Sequence, residues 1–169
     1  DHDAFLSDFV ISVVEIKSNL TTGDLQGSSE LNSVIEASRK VKALKRVHPF
    51  GGISGKEMVQ FDHIPYLVFA FDGPAHETLA EKLRSYERNN QVKRDRLPDM
   101  FVVPSQKYYL TQNNGWLAPI EIDVDWTRNA EDTGTLIGPF AYLVKLVEAY
   151  TSIPKYMPFS KYLGEPHQV

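Results

Sequence analysis

Two apolar, β-branched segments with one long amphipathic segment between them constrain the fold more than any other feature. Residues 9–16 read Phe-Val-Ile-Ser-Val-Val-Glu-Ile, which predicts a largely buried strand. Within 22–46, apolar residues recur at spacings of three, four and seven, which predicts a helix. A second apolar run at 64–71 predicts another strand. Strand, helix and strand in this order form a βαβ unit with parallel strands, so we predict an α/β fold.

The segments that follow supply the remaining layers of the predicted fold. Residues 47–63 contain His-Pro and paired glycines and are predicted to form a loop. Further elements are predicted downstream: a helix over 75–89, strands at 100–103, 108–110 and 120–124, and a helix over 135–151. A parallel sheet needs cover on both faces, and these two helices can provide it. We therefore expect a sheet flanked by helices.

Length and composition limit the classes of protein to consider. With 169 residues, 42% of them hydrophobic, the chain can bury a sizeable core, and we predict a single domain over 1–169. The absence of cysteine excludes disulfides, cysteine-bound zinc, iron–sulfur clusters and a cysteine nucleophile. No apolar run in the sequence reaches the length of a membrane span, and we expect a cytoplasmic protein with no membrane partner.

A candidate catalytic or ligand-binding site lies where the first predicted strand ends, at Glu15-Ile16-Lys17-Ser18. Residues i and i+2 of a strand project from the same face about 6.5 Å apart, so the Glu15 carboxylate and the Lys17 ammonium can converge on one ligand. A carboxylate supplies the oxygen ligand that Mg²⁺ prefers, and a neighbouring cation can orient water or hold a phosphate. Ligands of open α/β sheets also bind beyond the carboxyl ends of the strands. The alternative is an ordinary ion pair at the end of a strand.

The segment Phe-Val-Ile-Ser-Val-Val-Glu-Ile-Lys-Ser resembles the third core strand of the PD-(D/E)XK, or restriction-endonuclease-like, nucleases, in which Glu-x-Lys follows an apolar strand and leads into a helix. The chain also resembles a bacterial domain-of-unknown-function family placed near these nucleases. The matching positions are Phe5, Asp8, Val10, Val13, Val14, Glu15, Ile16, Lys17, Ser18 and Leu20, followed by 67–71, 97–103 and 138–140. The resemblance implies a restriction-endonuclease-like mixed sheet, catalytic roles for Glu15 and Lys17, and Mg²⁺ or Mn²⁺ bound by Glu15.

In these nucleases a metal-binding Asp lies on the strand before Glu-x-Lys, and this sequence offers no matching counterpart. The chain starts shortly before Glu15, and neither Asp1 nor Asp3 lies in an apolar strand. Asp8 precedes Glu15 by an odd number of residues and falls on the opposite face of a continuous strand. We therefore expect the chain to be the C-terminal part of a longer nuclease-like domain, with an incomplete metal site.

A basic segment late in the first predicted helix is the predicted nucleic-acid contact. The net charge of −4 gives no general attraction to DNA, but five of the eight residues from 39 to 46 are basic. They are Arg39, Lys40, Lys42, Lys45 and Arg46. Such side chains can neutralise phosphates, whereas the alternative is a solvated face that complements the helix dipole.

Three functions stay open at the level of the sequence. The first is a metal-dependent phosphodiesterase or endonuclease-like domain that acts on DNA and is incomplete in this chain. The second is a non-catalytic nucleic-acid or protein-binding domain on a nuclease-like scaffold. The third is an unrelated α/β enzyme for small molecules, which a deep apolar pocket remote from Glu15 would favour. A homodimer is compatible with the apolar stripe of the 135–151 helix.

Overall fold

The predicted βαβ unit is present, and its two strands lie side by side in parallel. The computed structural model describes residues 10–23, 29–44, 50–54, 57–61, 63–112, 126–129 and 136–151. In chain order the unit contains β1 (Val13–Asn19), α1 (Glu30–Ala43), a hairpin of β2 (Phe50–Ser54) and β3 (Glu57–Phe61), and β4 (Tyr66–Asp72). β4 pairs with β1 in a register that sets Glu15 opposite Val68 and Lys17 opposite Ala70.

Three boundaries of this unit differ from the prediction. The loop predicted over 47–63 is wrong, because this segment contains the antiparallel hairpin β2–β3. β1 ends at Asn19 rather than at residue 16, so Glu15 and Lys17 both lie within the strand. α1 begins after Ser29, whose side chain accepts the Asn32 N–H at 3.2 Å, and it ends at Ala43 because Leu44 is extended.

The rest of the chain completes a mixed five-stranded sheet. After β4 come α2 (His76–Asn90), β5 (Met100–Val103), β6 (Tyr108–Thr111), β7 (Thr127–Asn129) and α3 (Ile137–Thr151). The spatial order is β1-β4-β5-β6-β7, with β4–β5 parallel and the last two pairings antiparallel. The predicted α/β fold with a mixed sheet flanked by helices is confirmed. The predicted strand at 120–124 lies outside the described residues.

Two hydrophobic clusters cover the two faces of the sheet. The larger one joins α1 and α2 to one face and includes Leu31, Ile35, Leu83, Val68 and Phe101, each no more than 1% exposed. The smaller one joins α3 to the opposite face through Leu67, Met100, Val102, Tyr142 and Leu146. Neighbouring residues of β4 and β5 therefore alternate between the two clusters, as the period of a strand requires.

β1 forms one edge of the sheet within the described residues, since it pairs with β4 on one side alone. Its side chains alternate in character. Val13, Glu15 and Lys17 are half-buried on the α1 side, whereas Val14 and Ile16 are 44% and 65% exposed on the other. The charged pair therefore faces the helical layer that carries the main core.

α3 is buried along one side and apolar along the other. Tyr142 and Leu146 pack against the sheet, whereas Ile137, Phe140, Val144 and Val147 are between 47% and 66% exposed. Gly138 near its start leaves room for the Tyr109 ring, because a Cβ at this position would lie 2.6 Å from Tyr109 Cζ. None of the helices in the described ranges is long and apolar enough to cross a membrane.

Candidate functional site

Glu15 and Lys17 are in contact within β1, Glu15 in the middle of the strand and Lys17 two residues before its end. Lys17 Nζ lies 2.9 Å from Glu15 Oε1, and each side chain is 21% exposed. Both side chains project from the same face of the strand, as their spacing predicts. The pair is thus neither sealed in the core nor fully solvated, and a ligand arriving from solvent can reach it.

Glu30 is a third member of this site, and the sequence analysis missed it. It lies in the first turn of α1, where its Oε2 is 2.7 Å from Lys17 Nζ. Hydrogen bonds to Glu30 and then Glu15 raise the pKa of Lys17 above its ordinary value, so the ammonium stays charged at neutral pH. Lys17 therefore bridges two carboxylates, one on the strand and one at the start of the helix. An acidic residue directly after an N-cap serine was the available sequence signal.

Tyr66 binds the other oxygen of Glu15. Its hydroxyl donates a hydrogen bond to Glu15 Oε2, while the residue as a whole is only 2% exposed and belongs to the main core. Burial, followed by the hydrogen bond to Glu15, raises the pKa of Tyr66 well above its ordinary value, so the hydroxyl remains a donor at neutral pH. Lys17 and Tyr66 thus hold one carboxylate oxygen each.

A second lysine–carboxylate pair lies deeper in the fold, at the opposite end of β4 from Asp72. Lys42 Nζ is 2.6 Å from Asp99 Oδ1, and the two side chains are 1% and 11% exposed. Asp99 Oδ2 also accepts the Tyr66 N–H at 2.8 Å, and the Asp99 N–H donates to the Tyr66 carbonyl at 2.8 Å. Burial acts to raise the pKa of Asp99, but Lys42 and His63, whose Nε2 lies 3.8 Å from Asp99 Oδ1, together outweigh burial, so the pKa is lowered.

The position of Lys42 corrects the prediction that it contacts nucleic acid. Its ammonium is buried and bound to Asp99, so no phosphate can approach it in this fold. Lys40 is exposed on α1, and Arg39 is 44% exposed while bound to Glu36 at 2.7 Å. Lys45 and Arg46 lie outside the described residues. The interface predicted at 39–46 is therefore reduced, within the part the structure describes, to Arg39 and Lys40.

Glu15 and Glu30 provide carboxylate oxygens, which are the kind of ligand that Mg²⁺ prefers. Mg²⁺ is usually bound through one or two carboxylates together with water and substrate phosphate, and Glu15 and Glu30 offer two carboxylates around one ammonium. Across the described ranges, no group of three or more His, Cys, Asp or Glu side chains is arranged to hold a metal ion. The described residues therefore do not by themselves form a metal site.

A separate cavity of about 400 Å³ lies beside α2 and β6. It is lined by His76, Glu77, Ala80, Glu81, Arg84, Leu110 and Trp126. Because His76, Glu77, Glu81 and Arg84 carry ionisable groups, this cavity is not the deep apolar pocket that would favour an unrelated enzyme for small molecules.

Comparison with known proteins gives a partial structural likeness. No protein-family model and no curated protein sequence matches this chain significantly. The apo form of E. coli MS115-1 NucC is 18% identical, with a TM-score of 0.48 over 90% of this chain and 62% of that chain. The cAAA-bound form of the same protein is 19% identical, with a TM-score of 0.49 over 90% and 58%. The cAAA-bound form of P. aeruginosa ATCC27853 NucC is 14% identical, with a TM-score of 0.45 over 82% and 52%.

This chain therefore spans between 52% and 62% of the length of those NucC chains. The α/β architecture with a mixed sheet follows from this chain's own strand order, register and helical layers.

Proposed function

We propose that this chain carries part of the active site of a Mg²⁺-dependent phosphodiesterase that acts on DNA. Glu15 is the metal ligand and Lys17 is the cation that orients the attacking water or holds the scissile phosphate. The observation that carries the proposal is the contact between Glu15 and Lys17, made on a half-buried face of β1. The Glu-x-Lys resemblance to PD-(D/E)XK nucleases supports the same roles.

The location of Lys17, in the carboxyl-terminal half of β1, supports a ligand-binding role. β1 and β4 are parallel, so their carboxyl ends meet at one edge of the sheet, which is where ligands of open α/β folds bind. The first turn of α1 lies at this edge and brings Glu30 to Lys17.

Glu15, Lys17 and Glu30 have different roles in the proposed reaction. When bound, Mg²⁺ polarises a phosphate oxygen and lowers the pKa of a coordinated water. Glu15 supplies an oxygen ligand, and Glu30 keeps a carboxylate beside the same ammonium. Lys17 remains cationic beside these carboxylates, so it can compensate negative charge that develops on the phosphate.

We further propose that a carboxylate from outside the described residues completes the metal site. β1 has no partner strand on its outer side within the described residues, and Val14 and Ile16 are exposed there. A strand paired with this edge would bring a side chain next to Glu15, as the PD-(D/E)XK pattern implies for its metal-binding Asp. Mg²⁺, or Mn²⁺ in its place, is expected to bind tightly only when that carboxylate is present.

A DNA-contact role for the basic end of α1 stays part of the proposal. Arg39 and Lys40 lie near the C-terminal end of a 14-residue helix whose first turn carries Glu30. The helix is about 20 Å long at 1.5 Å per residue. A DNA duplex presents phosphates over such a distance, so one duplex can reach both ends of α1.

Calorimetric titration of Mn²⁺ tests the proposed metal site. It is made on this chain and on a form that carries its natural upstream sequence, each with Glu15→Gln and with Glu36→Gln as the matched control. Glu36 lies on α1 and binds Arg39 and Tyr86, away from the Lys17 ammonium. The proposal expects binding in the extended form that Glu15→Gln removes and Glu36→Gln preserves. Equal binding by Glu15→Gln and the parent protein would contradict it.

One observation favours the second candidate, a non-catalytic nucleic-acid or protein-binding domain on a nuclease-like scaffold. Both oxygens of Glu15 already have partners, Lys17 on Oε1 and Tyr66 on Oε2, as in a purely structural ion pair. If neither form binds Mn²⁺ while DNA binding persists, this second candidate replaces the first.

A further inference from the structure

Tyr66 is the residue on which the two lysine–carboxylate pairs converge. Its backbone N–H and carbonyl are both bound to Asp99, at 2.8 Å each, so the start of β4 is held at two points. Its ring is packed in the main core, and its hydroxyl reaches Glu15 Oε2. Asp99 therefore fixes the backbone of Tyr66, and the Glu15 carboxylate accepts a hydrogen bond from its hydroxyl.

This arrangement gives the two oxygens of Glu15 different partners. Oε2 is held by a neutral hydroxyl on a rigid ring, whereas Oε1 is held by an ammonium that has a second carboxylate at 2.7 Å. A cation that displaces Lys17 from Oε1 leaves the ammonium bound to Glu30. The same cation cannot easily release Tyr66, because the ring has no room to move in a core position that is 2% exposed.

We propose that Tyr66 is a positioning residue for Glu15: it fixes Oε2 so that Oε1 is the oxygen presented to the metal when Lys17 moves away. This inference rests on the proposed metal-dependent function. When a residue that hydrogen-bonds to a metal-ligating carboxylate is mutated, metal affinity or activity typically falls about 10- to 100-fold. The hydrogen bond from its hydroxyl to Glu15 makes Tyr66 such a partner. No sequence motif indicates this role, because Tyr66 lies 51 residues from Glu15.

A matched control exists in the same core. Tyr86 lies on α2, is 5% exposed, and donates its hydroxyl to Glu36 Oε1 at 2.8 Å. It therefore makes the same kind of Tyr–Glu hydrogen bond from the same cluster, but to a carboxylate that has no role in the proposed site. Tyr66→Phe and Tyr86→Phe each remove one hydroxyl and keep the ring.

The experiment measures Mn²⁺ affinity in the form that carries the upstream sequence, with electron paramagnetic resonance of the bound Mn²⁺ as a second readout. Tyr66→Phe is expected to weaken binding about 10- to 100-fold and to alter the Mn²⁺ spectrum. Tyr86→Phe is expected to leave both unchanged. Thermal unfolding of both variants serves as the structural control, since loss of either hydroxyl has a similar small effect on stability.

The outcomes separate this inference from the function on which it rests. If Glu15→Gln abolishes Mn²⁺ binding and Tyr66→Phe binds as the parent protein does, the metal site stands and the role of Tyr66 is overturned. If the parent protein itself does not bind Mn²⁺, or Glu15→Gln binds equally well, the proposed function fails and the role of Tyr66 fails with it.

Discussion

Two lysine–carboxylate pairs in this fold have similar geometry and opposite surroundings. In the sealed pair, Lys42 and Asp99 lie 2.6 Å apart, and the lysine side chain is 1% exposed. In the open pair, Lys17 and Glu15 lie 2.9 Å apart and are each 21% exposed. The lysine of the open pair also contacts a second carboxylate, Glu30. The two pairs therefore differ in exposure and in the number of their partners rather than in distance.

The two pairs differ in accessibility: solvent and ligands can reach the open pair but not the lysine of the sealed pair. Charges in the sealed pair have lost their hydration and depend on each other, so either charge alone would be strongly unfavourable. Charges in the open pair keep part of their hydration, and the lysine has an alternative partner. The sealed pair fixes the start of β4, because Asp99 accepts the Tyr66 N–H. In the open pair, Lys17 can leave Glu15 for a ligand and still keep its contact with Glu30.

Removal of Asp99 is expected to have the largest effect on stability. Asp99→Ala leaves the Lys42 ammonium buried without its carboxylate and takes the acceptor from the Tyr66 N–H. We expect the free energy of unfolding to fall by about 3–5 kcal/mol, measured by urea denaturation. The double variant Lys42→Met/Asp99→Ala is expected to lose less than Asp99→Ala, because the uncompensated charge is gone. A loss in Asp99→Ala no larger than that in Lys17→Met would contradict the comparison.

The second largest expected effect is a loss of the stability contributed by the sealed pair when the pH is lowered. Because the pKa of Asp99 is lowered in the folded state, its contribution is complete above the ordinary aspartate pKa of about 3.9 and is lost as the pH falls toward the folded value. The gap in unfolding free energy between the parent protein and Asp99→Asn should therefore shrink between about pH 5 and about pH 3. Denaturation series across this range measure the gap. A gap that stays constant would show that the pair does not titrate as described.

The open pair is expected to contribute much less to stability. Lys17→Met removes a cation that is 21% exposed and shared by Glu15 and Glu30, so we expect a change of about 1 kcal/mol or less. Urea denaturation beside Asp99→Ala gives the ratio of the two effects. If Lys17→Met proved as damaging as Asp99→Ala, the open pair would be a structural element and not a reactive one.

Glu30→Gln is expected to have the smallest effect of the series. Lys17 keeps its contact with Glu15, and the first turn of α1 loses one acidic side chain that complements the helix dipole. We expect a loss of about 0.5 kcal/mol, which salt further reduces. Thermal unfolding at low and high salt checks both statements. A change that is large and independent of salt would mean that Glu30 is needed to hold the strand and helix together.

Much of the fold was predictable from local sequence patterns. Three segments were predictable from their own residues: the apolar run before Glu15, the periodic segment that contains α1, and the apolar run at 64–71. Burial imposes a recognisable apolar pattern on each of them. The hairpin of β2 and β3 was missed because Gly51, Gly52 and the preceding His-Pro dominate its segment and are typical of turns.

The site was predictable only where its members are neighbours in sequence. Glu15 and Lys17 are two residues apart in one strand, so the strand period brings them together. Tyr66 is 51 residues from Glu15, and Asp99 is 57 residues from Lys42. Lys42 was assigned to a DNA-contact surface because it lies in a basic run, and nothing local indicates that a distant aspartate neutralises it inside the core.

The most direct test of the central claim is Mg²⁺-dependent cleavage of DNA by the form that carries the natural upstream sequence. The parent protein, Glu15→Gln, Lys17→Met and the control Glu36→Gln are compared with and without Mg²⁺. The account predicts cleavage that requires Mg²⁺, survives Glu36→Gln, and is lost in Glu15→Gln and Lys17→Met. No cleavage by the parent protein, or equal cleavage by Glu15→Gln, would contradict the claim that the open pair is part of a nuclease active site.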